Sequence, residues 1–369
     1  MTAASDDAVV VAARAGDETA FAALVDRYGH ELRVHCYRML GSFEESEDLV
    51  QETFLRAWKG LPAFEGRASV RAWLYRIATN ACLDALAGST GRSGSTGRSG
   101  SAGRGGSARR VLPDQLGPPW TGGAVPTVPD DVAWLQPFPD RLWEPVAPRD
   151  DQPDARAVAR ETIELAFLAA IQHLPPRQRA ALILRDVVGW PARQVADLLD
   201  GTVASVNSAV QRARTTLKEH LPARRLDWAA TPTDEERTVL RRYMAAVEAA
   251  DLDAVADLLA EDVRTTMPPY PWWLAGRDSV MAALAASWNP ELPGYVGRFR
   301  MLPTRANGRP AVASYVRRGA DPLFHAFAIG VVRIEAGRIA ELTAFHDADL
   351  FDAFELPPSL PPSLPPADR

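Results

Sequence analysis

The sequence predicts a multidomain protein, two all-α segments followed by an α+β domain, and three observations carry that reading. Residues 10–87 and 155–226 place apolar side chains at helical spacing. Between them, residues 88–154 lose the pattern: Ser89–Gly94, Ser95–Gly100 and Ser101–Gly106 are three copies of a Gly/Ser/Arg hexapeptide with nothing to bury. From residue 233 two helical stretches give way to short alternating segments of strand character, up to about residue 350. A proline-rich tail, 351–369, repeats Pro-Pro-Ser-Leu and is expected to be extended.

Within 10–87, a first helix enters at Val10, and Ala20–Leu40 forms a second that stops at Gly41-Ser42. Ser46–Leu61 makes a third, with Leu49, Val50, Thr53, Phe54, Ala57 and Trp58 on one stripe. Pro62 and Gly66 break the chain, and Ser69 starts a fourth helix through Leu86. The linker reads as a flexible tether, although its Trp120, Trp134 and Trp143 suggest that part of it docks. In the C-terminal domain the helices are Glu235–Ala249, Leu252–Leu259 and Ser279–Trp288. The strands are Val263–Met267, Arg298–Leu302, Ala311–Arg317, Ala326–Ile334 and Ile339–Phe345, with a hairpin turn at Gly337-Arg338.

With 47% hydrophobic residues the chain can bury real cores, which argues against wholesale disorder. No apolar run approaches the ~20 residues of a membrane span. The N-terminus has no basic stretch before an apolar one, so neither a secretory signal nor a membrane association is expected, and the expected location is cytoplasmic. Cys36 and Cys82 lie in no Cys/His cluster, so they read as buried small hydrophobes, with no metal and no cofactor implied. Net charge is −6, yet residues 155–226 carry 11 basic side chains against 6 acidic. An acidic protein with one basic segment carries a local polyanion footprint there.

That segment contains a helix-turn-helix pattern. Trp190-Pro191 opens a helix with Val195, Leu198 and Leu199 on its apolar face. Asp200-Gly201 turns the chain, and Thr202 suits the N-cap of a second helix. This helix is expected to bury Val203, Val206, Val210 and Leu217 and to show Ser205, Asn207, Ser208, Gln211, Arg212 and Arg214. Short polar side chains at the start of a helix suit base edges in a major groove, and arginines suit phosphates. An αα-hairpin with an ordinary solvated face is the plainer alternative.

Two motifs in order give the chain a family resemblance. Asp48-Leu49-Val50-Gln51-Glu52-Thr53-Phe54 through Trp58, continued by Phe64–Ser69 and Trp73–Asn80, resembles region 2 of the sigma-70 family, extracytoplasmic-function group. Leu174-Pro175-Pro176-Arg177-Gln178-Arg179 followed by the helix-turn-helix and Gln211–Arg214 resembles its region 4. The resemblance implies a region 2 helical bundle and a region 4 helix-turn-helix that bind the RNA polymerase core, through its β′ coiled coil and β flap, and promoter DNA. Asp48, Gln51, Glu52, Phe54, Leu55 and Arg56 would then contact the polymerase. Phe64, Arg67, Arg71, Trp73, Arg76 and Asn80 would melt and hold the −10 element, the aromatic rings and Asn80 capturing unstacked bases and the arginines phosphates. Trp73 has an equal claim to the core. The −35 element falls to Ser205, Asn207, Ser208, Gln211, Arg212 and Arg214.

Residues 233–350 resemble the SnoaL-like branch of the NTF2-like fold, an α+β cone of helices wrapped by a curved sheet. The resemblance rests on Tyr243–Asp253, Leu258–Val263, Met267–Tyr270, Trp273–Arg277 and Gly337–Leu342. Such a domain fused to a sigma factor implies modulation of activity in cis. Met267, Tyr270, Trp272, His325 and His346 are its pocket candidates, for an unknown small ligand or for acid–base chemistry, against the plainer reading that they are core. Strand alternation puts Phe345 and His346 on opposite faces. No catalytic residue is assigned. A DNA-binding regulator independent of polymerase and an enzyme using the C-terminal pocket are the competing functions.

Overall fold

The structure is a computed structural model and describes residues 6–88, 109–122, 127–143, 162–221 and 234–362. The hexapeptide repeats lie outside the described residues. The chain divides into two compact bodies, Met1–Arg110 with Pro145–Leu226, and Val111–Glu144 with Asp227–Arg369.

The first body is helical. Helices α1 (Asp6–Arg14), α2 (Glu18–Leu40), α3 (Phe43–Gly60) and α4 (Val70–Gly88) precede the linker. After it come α5 (Leu165–Ile171), α6 (Pro176–Leu182), which runs into a π turn at Ile183–Val187, α7 (Ala192–Leu198) and α8 (Val203–His220). Local chemistry sets the ends. The Asp17 carboxylate accepts from the amides of Thr19 and Ala20, and Gly41 closes α2 in the left-handed region with φ 71°. Ser42 then caps α3 at once, so this helix starts at Phe43, three residues before the Ser46 start expected from its apolar stripe. Leu24, Leu32, Met39, Val50, Leu74 and Ala78 from the first four helices share one continuous core with Ile171, Leu174, Leu182, Val195, Val206 and Val210. The two helical segments are thus one body, although their sequences read as two.

The second body is α+β. Helices α9 (Asp234–Ala249), α10 (Leu252–Leu258) and α11 (Arg277–Trp288) share a core with strands β1 (Leu259–Thr266), β2 (Trp273–Ala275), β3 (Arg298–Ala306), β4 (Arg309–Arg317), β5 (Phe324–Glu335) and β6 (Arg338–Phe345). A short helix α12 (Leu350–Ala353) and strand β7 (Ser359–Leu360) follow. The sheet order is β2-β1-β6-β5-β4-β3, with β7 on β5; β1 runs parallel to β6 and the β3-to-β6 meander is antiparallel. Register breaks at Ser314/Tyr315 and Arg333/Ile334 are the bulges that bend such a sheet. The last hairpin turns on Ala336-Gly337, both at positive φ, one residue earlier than expected. The tail is not extended throughout: it starts in α12, while Ser359 and Leu360 are extended as β7 and pair with His325 and Phe324.

Part of the linker docks, as its tryptophans suggest: residues 111–122 and 127–143 form a strap on the α+β body. Val111 bridges Trp134, and Leu135 and Phe138 are fully buried. The Trp120 amide donates to Trp273 O (2.8 Å), and Trp273 Nε1 donates to Gly117 O (2.8 Å). Arg264 pairs with Asp114 at 2.6 Å. Further along, Phe138 N donates to Asn307 Oδ1 (2.9 Å) and Asn307 N returns a bond to Phe138 O (3.0 Å). Asp140 accepts from Arg305 Nε (3.1 Å) and Gly308 N (2.8 Å).

Candidate nucleic-acid interface

The outer face of α3 forms a ridge. Asp48, Gln51, Leu55 and Arg56 are exposed and Glu52 is half-buried. Arg56 is held by Glu52 (2.8 Å) and Asp84 (3.5 Å). Leu55 is 56% exposed, an apolar side chain inside a polar rim. Phe54 does not belong to the ridge: it is buried, edge-on to Phe21, because its place on the apolar stripe turns it into the bundle. Beside the ridge, α2 and α3 border a groove of about 590 Å³ lined by Phe21, Val25, His30, Gln51, Leu55 and Trp58 among others.

Around the start of α4, Phe64 and Trp73 pair with ring centroids 4.8 Å apart, both half-buried, and Asn80 is half-buried further along that helix. Arg67 is exposed and paired with Glu65. The other two arginines are engaged. Arg71 makes a bidentate bond to Glu31, with Nε to Oε1 at 3.0 Å and Nη2 to Oε2 at 2.7 Å, and lies over the rings of Tyr75 and Trp190. In this arrangement the half-buried Glu31 carboxylate already occupies the Arg71 fork, so Arg71 is not free for a phosphate here. Arg76 bonds Asp200 at 3.0 Å, in the turn of the helix-turn-helix.

The helix-turn-helix forms where the sequence places it. Asp200 takes φ 50°, and Thr202 caps α8 in a box with Ser205, each hydroxyl accepting from the other residue's amide. Two expectations change. Ser205 is occupied by this cap, and Val203 is 44% exposed, not buried, because the first turn projects beyond the core. Asn207, Ser208, Gln211, Arg212 and Arg214 are exposed as expected; Arg212 bonds Ser208 (2.6 Å) and Arg214 bonds Asp186 (both bonds 2.8 Å).

Sequence reasoning missed the joint between the two segments. Arg179, in the Leu-Pro-Pro-Arg-Gln-Arg motif, is 3% exposed. Its Nη1 donates to Met39 O at the end of α2 and to Gln172 Oε1 (2.9 Å), and its Nη2 to Gln172 O (3.1 Å) and Leu174 O (3.2 Å). Burial lowers its pKa only to about 10, so it stays charged, and a cation suits a helix C-terminus. Nearby, Trp190 packs at a tilt against Tyr75 with ring centroids 5.0 Å apart, and buried His35 bonds Thr79 Oγ1 (2.9 Å). Burial and the adjacent Arg38 push His35 down to about 3, so it is neutral at pH 7.

In the α+β body, Tyr270, Trp272 and His346 come together: ring centroids lie 6.1 Å apart for Tyr270–Trp272 and 5.4 Å for Tyr270–His346. Met267 packs on the same core. His325 does not join them; it is 56% exposed and bonded to Asp321 at 3.0 Å. Phe345 ends β6 buried, and His346 lies just beyond the strand with its amide bonded to Pro268 O (2.8 Å). Burial lowers His346 to about 4.

A bundle with a polar ridge around an exposed leucine, built on one core with a capped helix-turn-helix, defines a two-module transcription factor. Family models match in the same order: sigma-70 region 2 over residues 24–91, sigma-70 region 4 over 164–217 and the SnoaL-like domain over 240–342. The chain is 39% identical over 362 residues to the ECF RNA polymerase sigma factor SigG of Mycobacterium tuberculosis, covering 96% of this chain and 90% of the relative. It belongs to the extracytoplasmic-function sigma factors, the subunits that bind core RNA polymerase and direct it to promoters. The ECF sigma factor SigW of Bacillus subtilis is 26% identical over 206 residues, 56% of this chain and 91% of that one. The crystal structure of Mycobacterium tuberculosis SigJ shares the fold, with a TM-score of 0.54 at 22% identity, covering 91% of this chain and all of that one. Among the described residues no helix is long and apolar enough to cross a membrane.

Proposed function

We propose that this sigma factor docks its α3 ridge (Asp48, Gln51, Glu52, Leu55 and Arg56) on the β′ coiled coil of the polymerase, and that region 4 docks on the β flap. Phe64, Trp73 and Asn80 then capture unstacked bases of the −10 element, with Arg67 and a released Arg76 on phosphates. Asn207, Ser208, Gln211, Arg212 and Arg214 read the −35 element from α8. The observation that carries the reading is Leu55, an exposed apolar residue in a polar rim beside a groove, which is the form of a protein-docking centre. Reading two promoter elements at once requires region 4 to leave α4, since Arg76 and Asp200 occupy each other. The SnoaL-like domain tunes this in cis, and its Tyr270, Trp272 and His346 cluster takes a small ligand.

The test is run-off transcription and core-polymerase binding by the full chain. Leu55→Asp should weaken core binding by about tenfold or more, since burying a charge at a docking centre costs several kcal/mol. Core binding unchanged by Leu55→Asp would move the docking surface elsewhere.

A further inference from the structure

Six rings from separate stretches of chain form one contiguous row in the α+β body. Trp120 of the strap meets Trp272 (5.5 Å), Trp272 meets Tyr270, Tyr270 meets His346, His346 meets Phe327 (4.7 Å) and Phe327 meets Phe299 (5.9 Å). This row differs from the closed core of the same body. Tyr315 and Phe351, paired at 5.1 Å, are sealed at 0% and 1% exposure, whereas all six rings of the row are only half-buried.

Their polar edges point the wrong way for ordinary half-buried aromatics. A tryptophan at a protein–water boundary turns its indole N–H toward water or a partner, as Trp273 does by donating to Gly117 O. Trp120 Nε1, Trp272 Nε1 and His346 Nδ1 are instead turned inward, shut off from solvent and without a partner among the described residues. A buried donor left unpaired costs about 1–3 kcal/mol. Two such indole donors lie in one row of rings, beside an imidazole nitrogen whose role follows its tautomer: an acceptor seated in the row would relieve Trp272 Nε1, and the Trp120 indole would regain water on leaving it. An indole N–H only donates, and a neutral imidazole offers no positive charge to recruit an anion. The row therefore suits a neutral, flat ring compound carrying a carbonyl oxygen.

We infer that the ring row is a binding site for a neutral planar carbonyl compound and that Trp120 is its movable cover. This deepens the ligand reading of the SnoaL-like domain and rests on it. Trp120 lies at the end of a strap segment whose Val111 and Leu112 are buried, and close to the rings that segment is held by polar contacts, the part-buried Arg264–Asp114 pair and the amide bond to Trp273 O. The strap's other anchor, around Phe138 and Asn307, is buried. The contacts nearest the rings are the polar ones. A ligand that takes the place of the Trp120 indole would free that end of the strap and leave the Phe138 end seated. Because the cover must first open, the apparent affinity of the closed chain is reduced by the closed fraction.

Binding of 1-indanone and of indane, its analogue without the carbonyl, to the full chain by saturation-transfer NMR tests this, with amide hydrogen exchange read on the same samples. The expected result is that 1-indanone binds at least about tenfold tighter than indane, because a site with donors rejects the ligand that leaves them unpaired. Trp272→Phe, which keeps a ring and deletes a donor, should shrink that preference severalfold. Trp120→Ala should bind 1-indanone more tightly than the unsubstituted chain. Saturating 1-indanone should speed exchange of the Trp120 amide and leave that of Phe138 unchanged. Equal binding of the two compounds overturns the carbonyl site and leaves the small-ligand reading standing, whereas binding of neither by any form overturns both. Preferential binding of 1-indanone with Trp120 exchange unmoved overturns the cover alone. The exchange readout needs no variant, so it stands if Trp120→Ala misfolds.

Discussion

One site in each body shows two ways of handling buried polarity. At the joint of the helical body two charged groups find partners: Arg179 makes four bonds, one of them to Met39 O across the seam between regions 2 and 4, and Arg71 is chelated by Glu31. In the α+β body the ring row keeps two indole N–H donors without partners among the described residues. A matched buried charge specifies one arrangement strongly, whereas an unmatched neutral donor leaves an interaction to be made later. The helical body is accordingly built as a joint, and the ring row as a receptacle.

The contrast can be broken most severely at Arg179. Arg179→Met removes four bonds to backbone and side-chain oxygens in the core, and the cost of unfolding measured in urea should fall by about 3 kcal/mol, in the range of charged hydrogen bonds left unmade. A loss below about 1 kcal/mol, the worth of an exposed ion pair, would show that the joint lies elsewhere. The pH dependence comes next. His35 is held at about 3 in the folded chain against 6.5 ordinarily, so the unfolded chain takes up a proton that the folded one refuses. The stability this neutral histidine contributes is complete above pH 6.5 and is lost as pH falls toward 3. Between pH 6 and 4 the slope is about 1.4 kcal/mol per pH unit for one such group. His35→Gln, which preserves a hydrogen-bonding group for Thr79, should flatten the measured profile by about that amount; an unchanged slope would place the titration on other groups.

A comparable effect belongs to promoter opening. Phe64→Ala and Asn80→Ala should weaken capture of single-stranded −10 DNA by about 1–3 kcal/mol each while duplex binding changes little. Equal loss of both would remove these residues from the flipped-base role. The smallest effect sharpens the idea of a releasable joint. Asp200→Asn removes only the exposed pair with Arg76, worth about 0.2–1 kcal/mol, so stability should barely move while run-off transcription rises by up to about fivefold. A fall in transcription would assign Asp200 a positive role.

Much of this was readable along the chain, and the misses have physical causes. Helical periodicity located the region 2 bundle and the second helix of the helix-turn-helix, and Thr202 announced its own cap. Asn307-Gly308, both at positive φ, is a hairpin turn the sequence offered plainly and the periodicity reading passed over. Arg179 looked like any solvated arginine, because the Met39 carbonyl that receives it lies 140 positions away. Alternation along the strand could not have placed His325: Tyr315 pairs with Ala326 and Ser314 with Ala328, so Phe327 is an extra residue and the faces on either side of it do not follow one phase. Trp120 and Phe138 signalled docking, but their partners at Trp273 and Asn307 could only be found in three dimensions.

The strap makes the order of the chain differ from the order of its assembly. Val111–Trp143 precedes region 4 in the sequence, yet the strands on which it rests are encoded after region 4. On the ribosome its Leu135, Phe138 and Trp143 emerge with no surface to cover them until the C-terminal domain has been made. A chain cut at the end of region 4 would keep those apolar side chains and lose their seat. A deletion meant to isolate the promoter-reading half therefore has to replace the strap as well, or aggregation will be mistaken for regulation.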